Sequence, residues 1–170
     1  MTKHVLPSLL TILAGALLAP AVAAGDGSSV NAELAAIRAS TADFHDLTIA
    51  QGAGWTVLGS ACVSSPVPGG GAMGFHYVNP SLNGDDGVDP LYPEVLVYAP
   101  TADGGRRLVA VEWVVFRHLQ PNPPTLFGQT FHLNPHLGPN GAWILHAWLW
   151  RHNPDGIFAD FNPRVSCNGV

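Results

Sequence analysis

Four ionisable side chains stand inside apolar segments of this chain, where a charge is costly to bury. They are His76, Glu94, Glu112 and His146. An unpaired carboxylate in such a segment needs a partner, a proton or a cavity to be tolerated. Two imidazoles with one or two carboxylates match the ligands of Zn, Fe and Mn sites that keep a coordination position open for substrate. We therefore expect these residues to bind a divalent transition metal or a small ligand.

The apolar pattern around Glu112 predicts the neighbours on its own face of a strand. Because alternate residues of a strand share a face, Glu112 is expected beside Leu108, Ala110, Val114 and Phe116. The opposite face then carries Val109, Val111, Trp113 and Val115. The same alternation places His146 with Ile144, Trp148 and Trp150.

Three interpretations of the His/Glu cluster stay open at this point. It is a metal site, a metal-free ligand pocket, or a structural group in which Glu112 accepts hydrogen bonds from His146 and aromatic donors. If the protein is an enzyme, metal-bound water is the nucleophile and a Glu is the general base. The contrasting function is a non-enzymatic secreted or envelope interaction module that uses the tryptophan-rich strand. Its residues are Trp143, Trp148 and Trp150.

A second histidine pair lies in the Pro-rich connection between residues 119 and 140. His132 and His136 have the i, i+4 spacing of a metal pair on a helix, but Pro135 between them disfavours a helix. The segment is either a lid that places a histidine over a cleft or an ordinary surface loop.

The sequence lacks the motifs of several common classes of enzyme and ligand-binding protein. The chain contains no Gly-x-Ser-x-Gly elbow, no phosphate loop that ends in Gly-Lys-Ser/Thr, and no His-Glu-x-x-His pair. The acidic loop at 85–89 lacks the oxygen spacing and the terminal Glu of a calcium loop.

The order of apolar patterns predicts a single α+β domain, with one N-terminal helix packed on a curved, mainly antiparallel sheet. The helix is expected over 31–50, with Asn31 as its N-cap. Strands are expected at 55–63, 72–78, 93–99, 107–117 and 143–151, with a short extended piece at 126–131.

The N-terminus has the order of a secretory signal peptide. Lys3 precedes an apolar run, and Pro20 and small residues follow it, so we predict a signal at 1–24 and an exported domain at 25–170. Without Lys3 the domain has six arginines against 12 acidic residues. That balance argues against nucleic acid as a partner, and no later segment has the length of a membrane span.

Two cysteines, Cys62 and Cys167, remain in the exported domain. In a periplasmic or extracellular compartment such a pair is expected to form a disulfide. A catalytic thiol pair would favour close spacing, which these residues lack.

Five segments of the chain resemble a group of exported bacterial proteins for which no activity is established. They are MGFHYVN at 73–79, PEVLVY at 93–98, VEW at 111–113, LFG at 126–128 and HAWLWRHNPDGIF at 146–158. The resemblance implies bacterial origin and export, and it assigns no residue a function.

Overall fold

An antiparallel sheet forms the body of the protein. The computed structural model describes residues 27–59 and 61–168, so the predicted signal at 1–24 lies outside the described residues. The strands are β1 Thr56–Val57, β2 Val63–Ser64, β3 Ala72–Val78, β4 Val95–Pro100, β5 Arg106–Phe116, β6 Thr125–Leu126, β7 Gln129–Thr130, β8 His132–Asn134 and β9 Ala142–Ala147. The main sheet has the order β1-β3-β4-β5-β9-β8, β2 also pairs with β3, and β6 and β7 form a separate hairpin. The predicted single domain with a mainly antiparallel sheet is confirmed.

The N-terminal helical region is interrupted, whereas the sequence pattern predicted one helix over 31–50. Its parts are α1 Gly27–Ser40, a 3-10 turn Ala42–His45, and α2 Leu47–Gly52. Asp46 is the reason for the second interruption: its backbone is extended, and its carboxylate accepts a hydrogen bond from the Thr48 N–H at 2.8 Å. Asp46 therefore begins a new helix instead of continuing the first one.

The helices that the structure describes pack on one face of the sheet. Leu34 and Ile37 of α1 and Ala50 of α2 share a buried cluster with Trp113 of β5. The hydroxyl of Tyr98 donates a hydrogen bond to the Phe44 carbonyl in the 3-10 turn. The opposite face carries a second buried cluster, formed by Val95, Val97, Val109, Ala110, Val114, Ala142, Ile144, Trp148 and Val165 among others. The candidate site lies on this second face.

A bulge in β5 changes the predicted assignment of residues to faces. Val97 pairs with Ala110 and Tyr98 pairs with Leu108, so Val109 is an extra residue in β5. Leu108 consequently packs in the helix-side cluster and Val109 in the second cluster, which is the reverse of the prediction for both. From Ala110 to Phe116 the predicted alternation holds.

Two predicted strands are shorter than expected. The segment 55–63 contains β1 and the first residue of β2, and these two strands pair with opposite ends of β3. β9 ends at Ala147, so the alternation does not continue to Trp150, which packs against the helix-side cluster. The prediction that Trp150 shares a face with His146 was therefore wrong, whereas Ile144 and Trp148 lie in the second cluster as expected.

The C-terminal segment is tied to the sheet in two places. Cys62 and Cys167 form the predicted disulfide, across a sequence separation of 105 residues. Asn162 forms an antiparallel bridge with Ala72 at the start of β3. Within the part of the chain that the structure describes, no helix combines the length and apolar character needed to cross a membrane.

Candidate metal centre

Three of the four predicted site residues come together on the second face of the sheet. Glu112 of β5 and His146 of β9 are directly opposite each other in the strand register. His76 of β3 lies one strand beyond β4, opposite Val97. One potential ligand atom from each of the three side chains lies within 4.8 Å of the other two. The strand order, rather than sequence proximity, thus places two imidazoles and one carboxyl at one point.

The spacing of these atoms is close to that of a ligated metal. The Nε2 atom of His76 is 3.7 Å from Oε2 of Glu112. Two ligand atoms at about 2.0–2.1 Å from a tetrahedral ion lie roughly 3.4 Å apart. Shifts of about 1 Å or less in the side chains would therefore bring all three atoms to bonding distance.

His146 is the most deeply buried of the three residues. Its side chain is fully buried, and both ring nitrogens lack a hydrogen-bond partner among the described residues. Its ring is surrounded by other aromatic groups, with ring centroids 6.4 Å from His76 and 5.0 Å from Trp148. Leaving a buried polar atom unpaired costs about 1–3 kcal/mol. A metal bond to either nitrogen would offset this cost.

Both histidines are in the neutral form that metal ligation needs. Burial lowers the pKa of His76 to about 4, against a smaller opposing effect of a backbone hydrogen bond with Gly74. Burial, together with the neighbouring His76, lowers the pKa of His146 to about 3.

Glu112 is protonated at neutral pH in the metal-free protein. Its burial raises its pKa to about 8, and the negative charges of Asp160 and Glu94 raise it further. Because His76 is neutral, its contact with Glu112 is not an ion pair, although the 3.7 Å separation lies within the range of one. A divalent cation is the charge that would make the ionised carboxylate favourable at this depth.

Glu94, the fourth predicted ligand, has another partner. Its Oε2 atom accepts a hydrogen bond of 2.9 Å from the backbone N–H of Val114 in β5. Burial raises the pKa of Glu94 to about 7, against this backbone bond. Glu94 does not belong to the group of three converging ligand atoms. Its negative charge nevertheless acts on Glu112.

A cavity of about 370 Å³ opens on the second face of the sheet, with His76 and Glu112 in its wall. Residues of β2, β3, β4, β5 and β8 line it together with residues of three loops. Aliphatic residues such as Val78, Val95 and Val114 form most of the lining, and its remaining polar residues are Asn83 and Asn134. The buried Oδ1 atom of Asn83 has no partner among the described residues. β3 and β5 thus place two of the candidate ligands where a small molecule can reach them.

The Pro-rich connection reaches the cavity, but its two histidines do not join the cluster. His132 lies on β8, and its Nε2 is 3.1 Å from Oδ2 of Asp160, which raises the pKa of His132. His136 is exposed. The connection contributes Asn134, Leu137 and Gly138 to the cavity wall instead.

The three tryptophans of the predicted interaction surface are engaged within the fold. The indole N–H groups of Trp143 and Trp148 donate to the carbonyls of Gln120 and Ala159. The ring of Trp150 packs edge-on against His45, with centroids 5.0 Å apart.

The residues of the cavity mouth were not predicted from the sequence. Leu58 and Leu137 lie in loops whose positions depend on contacts far apart in the chain, so no local pattern marked them. The same is true of Asp160, whose charge acts on both Glu112 and His146.

The chain was compared with protein-family models, with curated proteins and with solved structures. No family model, curated protein or solved structure matches it.

Proposed function

We propose that this protein binds one divalent transition metal ion through His76, Glu112 and His146, and exposes the ion to a small ligand in the adjacent cavity. One observation carries the proposal. His146 is fully buried with two unpartnered ring nitrogens, at the point where the side chains of His76 and Glu112 converge. Buried imidazoles without any partner are rare in folded proteins.

A purely structural cluster predicts a different geometry. In a core network the carboxyl and the imidazole would satisfy each other by a hydrogen bond, because a half-satisfied network is less stable than an apolar core. Here His146 has no bond with Glu112, although the two residues are opposite each other on neighbouring strands. The arrangement therefore supports a function at the cost of stability.

The ligand set selects the class of metal. Two imidazole nitrogens and one carboxylate oxygen suit Zn, Fe and Mn, whereas Ca²⁺ takes six to eight oxygen ligands. Glu112 is the only carboxyl among the described residues that line the cavity. As a metal ligand it is not free to act as a general base, so the proposed function is binding, and catalysis is not assigned.

The proposed compartment is the periplasm or the exterior of the cell. The predicted signal at 1–24 and the resemblance to exported bacterial proteins support export. The disulfide between Cys62 and Cys167 is compatible with it, because such bonds persist in oxidising compartments.

A titration of metal-stripped protein with Co²⁺ and Zn²⁺ tests the proposal. We expect one ion per chain, measured by the visible absorption of Co²⁺ and by elemental analysis for zinc. His146→Ala should weaken binding at least about a hundredfold, because even loss of an outer partner costs 10–100-fold. His132→Ala is the matched control, since this histidine pairs with Asp160 and lies outside the cluster. Absence of stoichiometric binding, or equal losses in both variants, would refute the proposed function.

A further inference from the structure

The cavity beside the cluster is built to hold an apolar molecule. Its walls are formed by the valines of three strands, Val78, Val95 and Val114, and its mouth is bordered by Leu58 and Leu137. Leu58 is 57% exposed, so a leucine side chain is held toward solvent at the entrance. Apolar walls with a few convergent polar groups are typical of small-molecule sites.

The size of the cavity limits the ligand. An engineered apolar cavity of about 150 Å³ accommodates benzene, which has six non-hydrogen atoms. The cavity here measures about 370 Å³, which corresponds to roughly fifteen non-hydrogen atoms on the same scale, three of which a carboxylate group would account for. This is the size of a medium-length alkyl chain or of one substituted aromatic ring.

The net charge at the metal-binding end of the cavity determines which head group the ligand carries. A divalent ion with two neutral imidazoles and the ionised Glu112 carries one net positive charge. In a cavity of low polarity a net charge is costly, and a monoanionic ligand bound to the metal cancels it. None of the described residues that line the cavity is an arginine or an aspartate, so the head group meets no competing charge besides Glu112.

We propose that the ligand is a monocarboxylate with an apolar body of roughly a dozen non-hydrogen atoms, whose carboxylate completes the coordination of the metal while its body fills the cavity. This inference rests on the proposed function, because the metal supplies the charge that the head group meets. The described cavity walls supply the rest of the binding energy through burial of apolar surface.

Binding of a series of straight-chain carboxylates tests this inference. Zinc-loaded protein is titrated calorimetrically with butanoate, hexanoate, octanoate and decanoate, and with 1-octanol as the uncharged counterpart of octanoate. We expect affinity to rise about fourfold for each added methylene until the cavity is full. Octanol should bind at least about tenfold more weakly than octanoate, because it leaves the net charge uncancelled. Affinity that is independent of chain length, or equal for octanol and octanoate, overturns the inference.

Substitutions at the cavity mouth provide a matched pair. Leu58→Asp places a charge at the entrance and should weaken decanoate at least about tenfold, with a smaller effect on butanoate. Leu91→Asp is the control, because Leu91 is also an exposed leucine, at 39%, but lies outside the cavity lining. Equal effects of the two substitutions count against the cavity as the site.

The zinc content of the titrated protein, measured by elemental analysis, separates this inference from the proposed function. If zinc does not bind to the protein, the proposed function is refuted, and so is the inference that a carboxylate of the ligand coordinates the metal. If zinc binds with the expected stoichiometry but the chain-length dependence is missing, only the inference about the ligand fails.

Discussion

Glu112 and His146 lie directly opposite each other on β5 and β9, yet no hydrogen bond joins their side chains. Opposite residues on antiparallel strands have Cβ atoms about 4.5–5.5 Å apart, which is close enough for their functional groups to interact. One ligand atom of each side chain lies within 4.8 Å of the other, a separation that a metal ion could bridge.

Replacing His146 by phenylalanine should stabilise the metal-free protein. The substitution keeps a planar ring and removes two buried nitrogens that have no partner. We expect the free energy of unfolding to rise by about 1–2 kcal/mol, measured by urea denaturation in EDTA. The same variant should lose metal binding. A structural role for the histidine predicts the opposite, a loss of stability in the metal-free protein.

Metal affinity should increase with pH up to about pH 8. Below that pH Glu112 holds a proton that the metal must displace, because burial raises its pKa to about 8. The histidines release no proton near neutral pH, because burial lowers the pKa of His76 to about 4 and that of His146 to about 3. We expect about one proton released per ion at pH 6.5–7 and about a tenfold gain in affinity per pH unit. Calorimetry in buffers of different ionisation enthalpy measures the number of protons released, and a value of zero contradicts the prediction.

Without metal, the protein should lose stability as pH rises from 6.5 to 8.5. The folded-state pKa of Glu112, about 8, lies above its ordinary value of 4.5, so its contribution is present at low pH and is lost as pH rises through 8. The lowered pKa values of the histidines matter only below 6.5. Glu112→Gln should reduce the loss by about 1–2 kcal/mol. Part of the stability loss should remain in this variant, because the pKa of Glu94 is also raised, to about 7.

An unchanged pH dependence in Glu112→Gln, measured by urea denaturation in EDTA, would contradict this assignment. Glu94→Gln serves as the comparison, since it removes the other raised carboxyl without altering the group of three.

Gly74→Ala should damage both the sheet and the site. Gly74 has φ +118, and a Cβ atom there would lie 2.5 Å from the carbonyl oxygen of Tyr98 on β4. We expect a loss of at least about 2 kcal/mol in stability. Metal affinity should fall as well, because Gly74 lies two residues before His76 on β3, and a shift of the strand there would displace the imidazole. Gly84→Ala is the control, since a Cβ atom there meets nothing within 4 Å, and its stability should change by less than about 1 kcal/mol.

Removing the disulfide should weaken the fold without changing the metal site. The bond between Cys62 and Cys167 spans 105 residues, and closure of such a loop stabilises by about 4–5 kcal/mol in the loop-entropy model. Replacing both cysteines by serine should therefore lower the free energy of unfolding by several kcal/mol. Metal affinity of the folded variant should stay within about threefold, since the ligands lie on β3, β5 and β9. Equal stability of the two proteins would contradict the prediction.

The sequence pattern predicted the burial of the candidate residues better than the structure around them. Burial of Glu112 and His146 could be inferred because each interrupts an apolar run, and the alternation from Ala110 to Phe116 is local. The bulge at Val109 could not be inferred, because it depends on the register between β4 and β5. The approach of His76 to Glu112 depends on the order of strands, which is a property of long-range pairing.

The helical region shows the same division between local and long-range determinants. Its apolar spacing indicated a helix, but the interruption between α1 and α2 follows from competing side-chain bonds. Thr41 donates to the Ile37 carbonyl, and Asp46 accepts from the Thr48 N–H. Both residue types are frequent at helix ends because their side chains bond to nearby backbone. The cavity mouth had no such local indication, since only the fold brings Leu58 and Leu137 to the same cavity.

The disulfide also determines what proteolysis can do to this molecule. Every candidate metal ligand lies between Cys62 and Cys167, as does the exposed acidic loop that precedes β4. A single cut in that loop separates β3 from β4 along the chain but leaves both fragments covalently attached through the Cys62–Cys167 bond. A nicked molecule thus keeps the mass of the intact protein under non-reducing conditions, apart from the water added on hydrolysis. Reassociation of the two fragments is therefore intramolecular and does not depend on the protein concentration.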